Sequence, residues 1–296
     1  MMKKTPFYFK FLIIWLFCLS SCVSGCSSIY LNGSPKKELL PRKAFVQVQQ
    51  FISLEGCGVN PDTQKRKCQT AEMRYVSSGA YVFHSEVEEG TSYVLTAGHS
   101  CENKVPPKQN IGGFDVENKG SRYISVDLSG AKHKAEVVNI NKRFDLCLMR
   151  VSNVHRSPPV LKVAEKEPLF GEIVSNMAAP HGLFWPGTVL IFRGAFSGYH
   201  NRGYSVYTIP TKPGSSGSPI INSDNKLIGV IFAGYGMIEN VGLSSPLIAI
   251  KIFLKKSIAK GEMEIWEKNN KPKVNSQVDS FWRKEMKTKL DEVFGK

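Results

Sequence analysis

From Ala44 onward the sequence breaks into short apolar runs separated by turn residues, and this spacing limits the possible folds more than any other feature. The runs are 45–48, 81–83, 93–96, 123–126, 135–138, 146–151, 189–192, 204–209, 219–221 and 227–232. They are rich in β-branched and aromatic residues. So many short strands, with few helical stretches between them, predict an all-β barrel or sandwich. The end of the chain differs. Residues 247–258 read as a strand then a helix that closes the domain, and 262–273 as charged and irregular. Val278, Phe281, Trp282, Met286, Leu290 and Val293 then recur at helical spacing, which predicts an amphipathic C-terminal helix. Packing back on its own domain is the simpler expectation for that helix. A membrane surface or a partner is the other, because Arg283, Lys284, Lys287 and Lys289 lie on or near its polar side.

With 296 residues, 42% of them apolar and 22% charged, the chain can build one large or two small packed domains. No long apolar stretch follows the N-terminal segment, which excludes a multi-pass membrane protein. A formal charge of +14 would draw the surface to anionic partners. The lysines are widely spread, however, and no nucleic-acid-binding motif is present, so no nucleic-acid partner is expected.

The N-terminus reads as an export signal. Lys3, Lys4 and Lys10 precede an apolar run, 11–19, which is too short to span a membrane comfortably, and small residues follow. Leu19-Ser20-Ser21-Cys22 and Val23-Ser24-Gly25-Cys26 both resemble the bacterial lipobox, so either Cys22 or Cys26 is a candidate for lipidation. The expected location is the cell envelope, as a lipoprotein on the periplasmic face or the cell surface; a plain cleaved signal peptide would give a secreted protein instead. Past the signal, Cys57, Cys68, Cys101 and Cys147 remain, an even number that suggests disulfides with three possible connectivities. Cys57 and Cys68 flank a polar loop suited to local pairing. No closely spaced cysteine pair suggests structural zinc, and no metal site or cofactor is expected.

The residues with chemistry begin at Gly214-Ser215-Ser216-Gly217-Ser218-Pro219. A serine between glycines in a tight loop suits an acyl-transfer nucleophile. Glycines allow backbone angles that expose the hydroxyl, and they let successive N–H groups converge where negative charge would develop. Gly214 and Ser216 are the candidate donors. A hydroxyl needs a base, and a histidine base needs an acid to fix its tautomer. His99 follows the strand 93–96 through Ala97-Gly98, which sets its ring at a strand end, whereas His84, His133, His155, His181 and His200 read as polar or loop-like. Asp145 opens the apolar run 146–151 and, buried there, would need a donor.

Taken together, these segments resemble a known family. Val94-Leu95-Thr96-Ala97-Gly98-His99, Asp145-Leu146-Cys147-Leu148-Met149 and Gly214 to Pro219 are similar to the histidine, acid and serine motifs of the trypsin-like peptidases, in that family's chain order. Ser78-Gly79-Ala80-Tyr81-Val82 looks like the start of a first barrel, and Gly171-Glu172-Ile173-Val174 with Pro180-His181-Gly182 like the start of a second. The resemblance implies two six-stranded antiparallel β-barrels of the chymotrypsin-like type, followed here by a C-terminal helical tail. It implies a catalytic triad of His99, Asp145 and Ser216, a serine endopeptidase acting on protein or peptide substrates, and no metal or cofactor. Because Cys101 and Cys147 each lie two residues after a triad member, the resemblance also makes them a candidate pair.

The expected organisation is a signal peptide with lipobox (1–26), a tether (27–43), a peptidase domain (44–258) and a charged tail with an amphipathic helix (259–296). Ser215 stands where digestive trypsins carry the Asp that captures a new N-terminus, so no zymogen switch of that kind is expected. No segment resembles a PDZ domain. Pro210, Thr211, Phe232, Ala233 and Gly234 are the candidate substrate-binding residues, and no carboxylate among them invites a basic P1 residue. Small or apolar P1 residues are therefore expected. The alternative reading is a catalytically silent trypsin-like barrel that serves as an envelope binding or interaction protein.

Overall fold

The computed structural model describes residues 39–269 apart from 60–63, 104, 112–113 and 156, together with residue 288. The export signal, the lipobox, most of the tether and the amphipathic tail helix lie outside the described residues. The body of the chain from Leu40 onward carries thirteen strands among those described.

The first barrel uses β1 (Phe45–Val59), β2 (Arg66–His84), β3 (Ser92–Ala97), β5 (Phe114–Asp127), β6 (Lys132–Asn141) and β7 (Leu146–Val151), with the short β4 (Lys108–Ile111) paired to β5. Their order is β1-β2-β3-β7-β6-β5, and antiparallel pairing of β5 with β1 closes the ring. The second barrel is also closed and antiparallel, in the order β10-β13-β12-β11-β8-β9. Its strands are β8 (Ile173–Ala178), β9 (Leu190–Tyr199), β10 (Ser205–Tyr207), β11 (Pro219–Ile221), β12 (Leu227–Gly234) and β13 (Gly242–Ser245). This is the chymotrypsin-like double barrel.

Strand alternation builds three cores at once. On β7, Cys147, Met149 and Val151 point into barrel 1 beside Val46, Tyr81 and Val94. Leu146 and Leu148 point the other way, into a shared core with Phe45, Leu95, Met177, Ile221 and Val230. On β12, Ile228 and Ile231 fill barrel 2 with Phe196, Tyr207 and Ile209. A strand buried on both faces reads as an unbroken apolar run, which is why these segments stood out in the sequence.

The C-terminal side departs from the expectation. Residues 247–258 contain no strand, and 262–269 are not irregular: a single helix, α1, runs Leu247–Asn269. It crosses the expected boundary at 258. Ile250, Phe253, Leu254, Ile258 and Ile265 join the shared core. Glu262, which looked like a surface charge, is 0% exposed and accepts hydrogen bonds from Tyr93 Oη (2.7 Å) and the Glu86 N–H (2.9 Å). Its carboxylate is paired as burial demands, and burial beside it pushes the Tyr93 hydroxyl far above its usual range.

Strands β1 and β2 depart from the expectation as well. Both run well past the expected apolar segments, and with β4 and β5 they form an arm beyond the barrel. The Cys57–Cys68 disulfide joins directly opposed residues near its tip.

Candidate active site

Strands β3 and β7 run side by side up to the pair Ala97–Leu146 and then part. One chain enters a short 3-10 turn, Gly98–Ser100, which carries His99. The other begins with Asp145, held at φ 51°. Aspartate is among the few side-chain-bearing residues that enter this left-handed region readily. The carboxylate grips the turn twice: His99 N–H donates to Oδ1 and His99 Nδ1 lies against Oδ2, each at 2.6 Å. A carboxylate against Nδ1 favours the tautomer whose proton lies there, the one that turns an Nε2 lone pair outward. Gly98 admits this grip, since a Cβ at that position would lie 2.7 Å from Asp145 Oδ1. Below the pair, Cys101 and Cys147 form a disulfide, so the turn is also bonded covalently to the strand that follows Asp145.

Ser216 comes from the other barrel, in the loop between β10 and β11. Gly217 packs so tightly on the end of β3 that a Cβ would collide with Thr96 Oγ1 and Ser78 O. That contact packs the loop of Ser216 against the end of β3, the strand that leads into the turn of His99. The peptides of the loop can be accounted for one by one. Ser215 N–H donates to Lys212 O (2.9 Å), Gly217 N–H to Ile231 O (2.6 Å) and Ser218 N–H to Ser215 O (3.0 Å). Pro213 O accepts from His181 N–H (2.6 Å) and Ser216 O from Ser78 N–H (2.8 Å). Among the described residues, the N–H groups of Gly214 and Ser216 donate to no acceptor. Neither the Ser216 hydroxyl nor His99 Nε2 has a hydrogen-bond partner there either.

A cavity of about 350 Å³ opens next to Ser216, lined by Thr211, Lys212, Pro213, Ala233, Gly234, Tyr235, Gly236, Ile238 and Glu239. Of the expected substrate-binding residues, Thr211, Ala233 and Gly234 line it; Pro210 and Phe232 do not. The β12 register shifts between Ile231 and Ala233, and Phe232 packs its ring edge-on against Tyr204, 4.9 Å between centroids. A carboxylate from outside the expected set borders the cavity: Glu239, with Lys212 Nζ at 3.4 Å. The missed wall, 235–239, is an exposed loop with no periodic signal. Thr211 packs close against two glycines, since a Cβ on Gly234 would lie 3.2 Å from Thr211 Cβ and one on Gly242 3.0 Å from its Oγ1.

Two other histidines turn out to sit on strands rather than in loops. His84 pairs Nδ1 with Ser92 Oγ (2.9 Å) and Nε2 with Pro158 O (2.8 Å). His133 pairs Nδ1 with Asn153 O (3.0 Å) and Nε2 with Asp127 Oδ2 (3.2 Å). Both rings are fully engaged, unlike that of His99.

A family model described as "Trypsin-like peptidase domain" matches residues 75–230, more than half of the chain. The chain belongs to this family. Among relatives of this trypsin-like peptidase, the "Serine protease HtrA-like" of Staphylococcus aureus (strain MRSA252) is 26% identical over 171 residues, covering 51% of this chain and 22% of the relative. The "Serine protease Do-like HtrA" of Bacillus subtilis (strain 168) is 25% identical over 196 residues, covering 60% and 38%. The matched part thus spans well under half the length of these relatives. The crystal structure of the serine endoprotease from Yersinia pestis has the same fold, with a TM-score of 0.52 and 18% identity over 74% of this chain and 64% of that one.

Proposed function

We propose that this trypsin-like peptidase is a serine endopeptidase of the bacterial cell envelope. The observation that carries the reading is the pairing of a twice-bonded His99–Asp145 dyad with a serine loop whose uncommitted N–H groups, those of Gly214 and Ser216, flank the candidate nucleophile. His99 Nε2 takes the proton as Ser216 Oγ attacks a peptide carbonyl, and the two N–H groups receive the developing oxyanion. The imidazolium, stabilised by Asp145, then protonates the leaving amine. Water, activated by the same base, releases the acyl group. In an unliganded site the base and nucleophile commonly stand apart and tighten only when substrate arrives.

The loop is closed by its own bonds. Ser215 is buried, its N–H donates to Lys212 O and its Oγ accepts from Lys212 N–H at 3.4 Å. These bonds hold the loop without help from outside it, which supports a cleft that forms on folding. Thr211, packed close against Gly234 and Gly242, lines the cavity, which favours small or apolar P1 residues. Export through the N-terminal signal and anchoring at Cys22 or Cys26 complete the reading, and an intact mass lacking a diacylglyceryl cysteine would remove the anchor from it. To test specificity, a peptide library is digested by wild type and Ser216→Ala. Cleavage by wild type alone, after small or apolar residues, is the expected outcome. Cleavage after Lys or Arg would refute the pocket assignment, and no cleavage by folded wild type would favour a silent barrel that binds partners.

A further inference from the structure

One buried side chain outside the proposed triad reaches the nucleophile loop from the opposite barrel. Ser78 lies on β2 and is 0% exposed. Its hydroxyl donates to Gly214 O (2.8 Å) and accepts from Ala179 N–H (3.0 Å), just past the end of β8. Its own N–H donates to Ser216 O (2.8 Å), and its C=O accepts from Thr96 Oγ1 (2.7 Å) on β3. One residue thus joins both barrels and touches the loop on either side of Ser215. A hydroxyl has a single proton to give and lone pairs to receive, and here both capacities are used.

We propose that Ser78 is a positioning residue for the oxyanion-binding loop: its hydroxyl holds the Gly214 carbonyl so that the Gly214 and Ser216 N–H groups stay aimed into the cleft. This rests on the serine-peptidase reading above. Gly214, at φ 94° and without a side chain, is the point where the loop turns most freely. The Gly214 N–H lies in the Pro213–Gly214 peptide plane, and the Gly214–Ser215 plane that follows links it to the Ser216 N–H, so both donors stay aimed only while both planes are held. His181 N–H pins the preceding plane through Pro213 O, and Ser78 Oγ pins the following plane through Gly214 O. The Gly214 side itself is closed in, since a Cβ there would lie 2.9 Å from His181 N. Donors fixed before the reaction need no reorganisation during it, which is where such a loop gains its effect on rate. A serine serving only as glue between barrels would alter stability and leave turnover alone.

The test compares full-length wild type, Ser78→Cys and Ser78→Ala for kcat, KM, thermal midpoint and backbone amide exchange across residues 212–218. The expected result is a graded fall in kcat, about 10–100-fold for Ser78→Ala and smaller for the weaker-bonding thiol. KM stays within about threefold. Exchange in 212–218 quickens in the same order. An unchanged kcat and an unchanged loop, with only the thermal midpoint lowered, overturn the proposal. Should Ser78→Ala not fold, Ser78→Cys against wild type decides by the same two readouts. If wild type itself cleaves nothing, the peptidase reading fails separately. The exchange measurement still judges Ser78, because faster exchange confined to 212–218 upholds it and unchanged exchange overturns it.

Discussion

The two barrels have the same number of strands, yet each holds its share of the site differently. Barrel 1 and its arm carry two disulfides, and the barrel presents His99 and Asp145 through side-chain bonds on a covalently tied turn. Barrel 2 has strands as short as the three-residue β10 and β11, and among the described residues no disulfide. It presents Ser216 on a loop held largely by main-chain bonds, and both the N–H and the hydroxyl of Ser78 reach that loop from barrel 1. The dyad is therefore a local construction. The Ser216 loop depends on how the barrels meet, and α1 reinforces that meeting by running from Leu247 in the barrel 2 core to Glu262 on barrel 1.

The largest effect is expected where the two halves join in chemistry. Ser216→Ala and His99→Ala should each lower kcat by about 10⁴-fold or more, and the double variant should be little worse than either. Additive losses would mean that the residues do not act as a unit. Next comes the contrast between the disulfides. By chain entropy alone, losing Cys101–Cys147 costs about 4 kcal/mol and losing Cys57–Cys68 about 3 kcal/mol. Their effects on turnover should differ far more. Removing the first frees the turn of His99, and kcat should fall with stability. Removing the second loosens an arm tip roughly 30 Å along β1 from the residue opposite Ser78, and kcat should hold. Denaturant melts run alongside peptide turnover would show this, and equal losses of activity would end the distinction.

Much of this was legible in the sequence. The central strands announced themselves because both of their faces are buried, and the three motifs lie at strand ends where turn residues stand out. The arm was not legible. Residues 66–74 are exposed throughout, and Gly56 and Gly58 interrupt β1, so no hydrophobic alternation marks them as strand. Glu262 looked like solvent-facing charge because its partner, Tyr93, is distant in sequence. Ser78 read as the start of a strand, since nothing local reveals that its hydroxyl reaches Gly214. The wall at 235–239 is set by loop conformation, for which sequence periodicity carries no signal.

Smaller effects sharpen the contrast further. Glu262→Gln weakens the carboxylate's bonds to Tyr93 and Glu86, and should cost about 1–3 kcal/mol in a thermal melt with kcat unchanged, because α1 braces the barrels without entering the cleft. The smallest effect concerns Asp127 in barrel 1. Burial alone would raise its carboxyl, but hydrogen bonds from Ser129, His133 and the Ala131 N–H outweigh burial and hold it below the usual range. A depressed native value gives stability that is present above the unfolded carboxyl range, near pH 4, and is lost as pH falls through the native value. The melting difference between wild type and Asp127→Asn should therefore be full at neutral pH and shrink in acid. A difference that grew in acid would contradict this sign.

The most direct measurement is site-mapped labelling by a fluorophosphonate, run on wild type, His99→Ala and Ser216→Ala. The account predicts one adduct per wild-type chain, located by peptide mapping on Ser216, with little or none on either variant. A folded wild type that stays unlabelled, or an adduct on any other residue, would contradict the claim that the two barrels meet to activate Ser216.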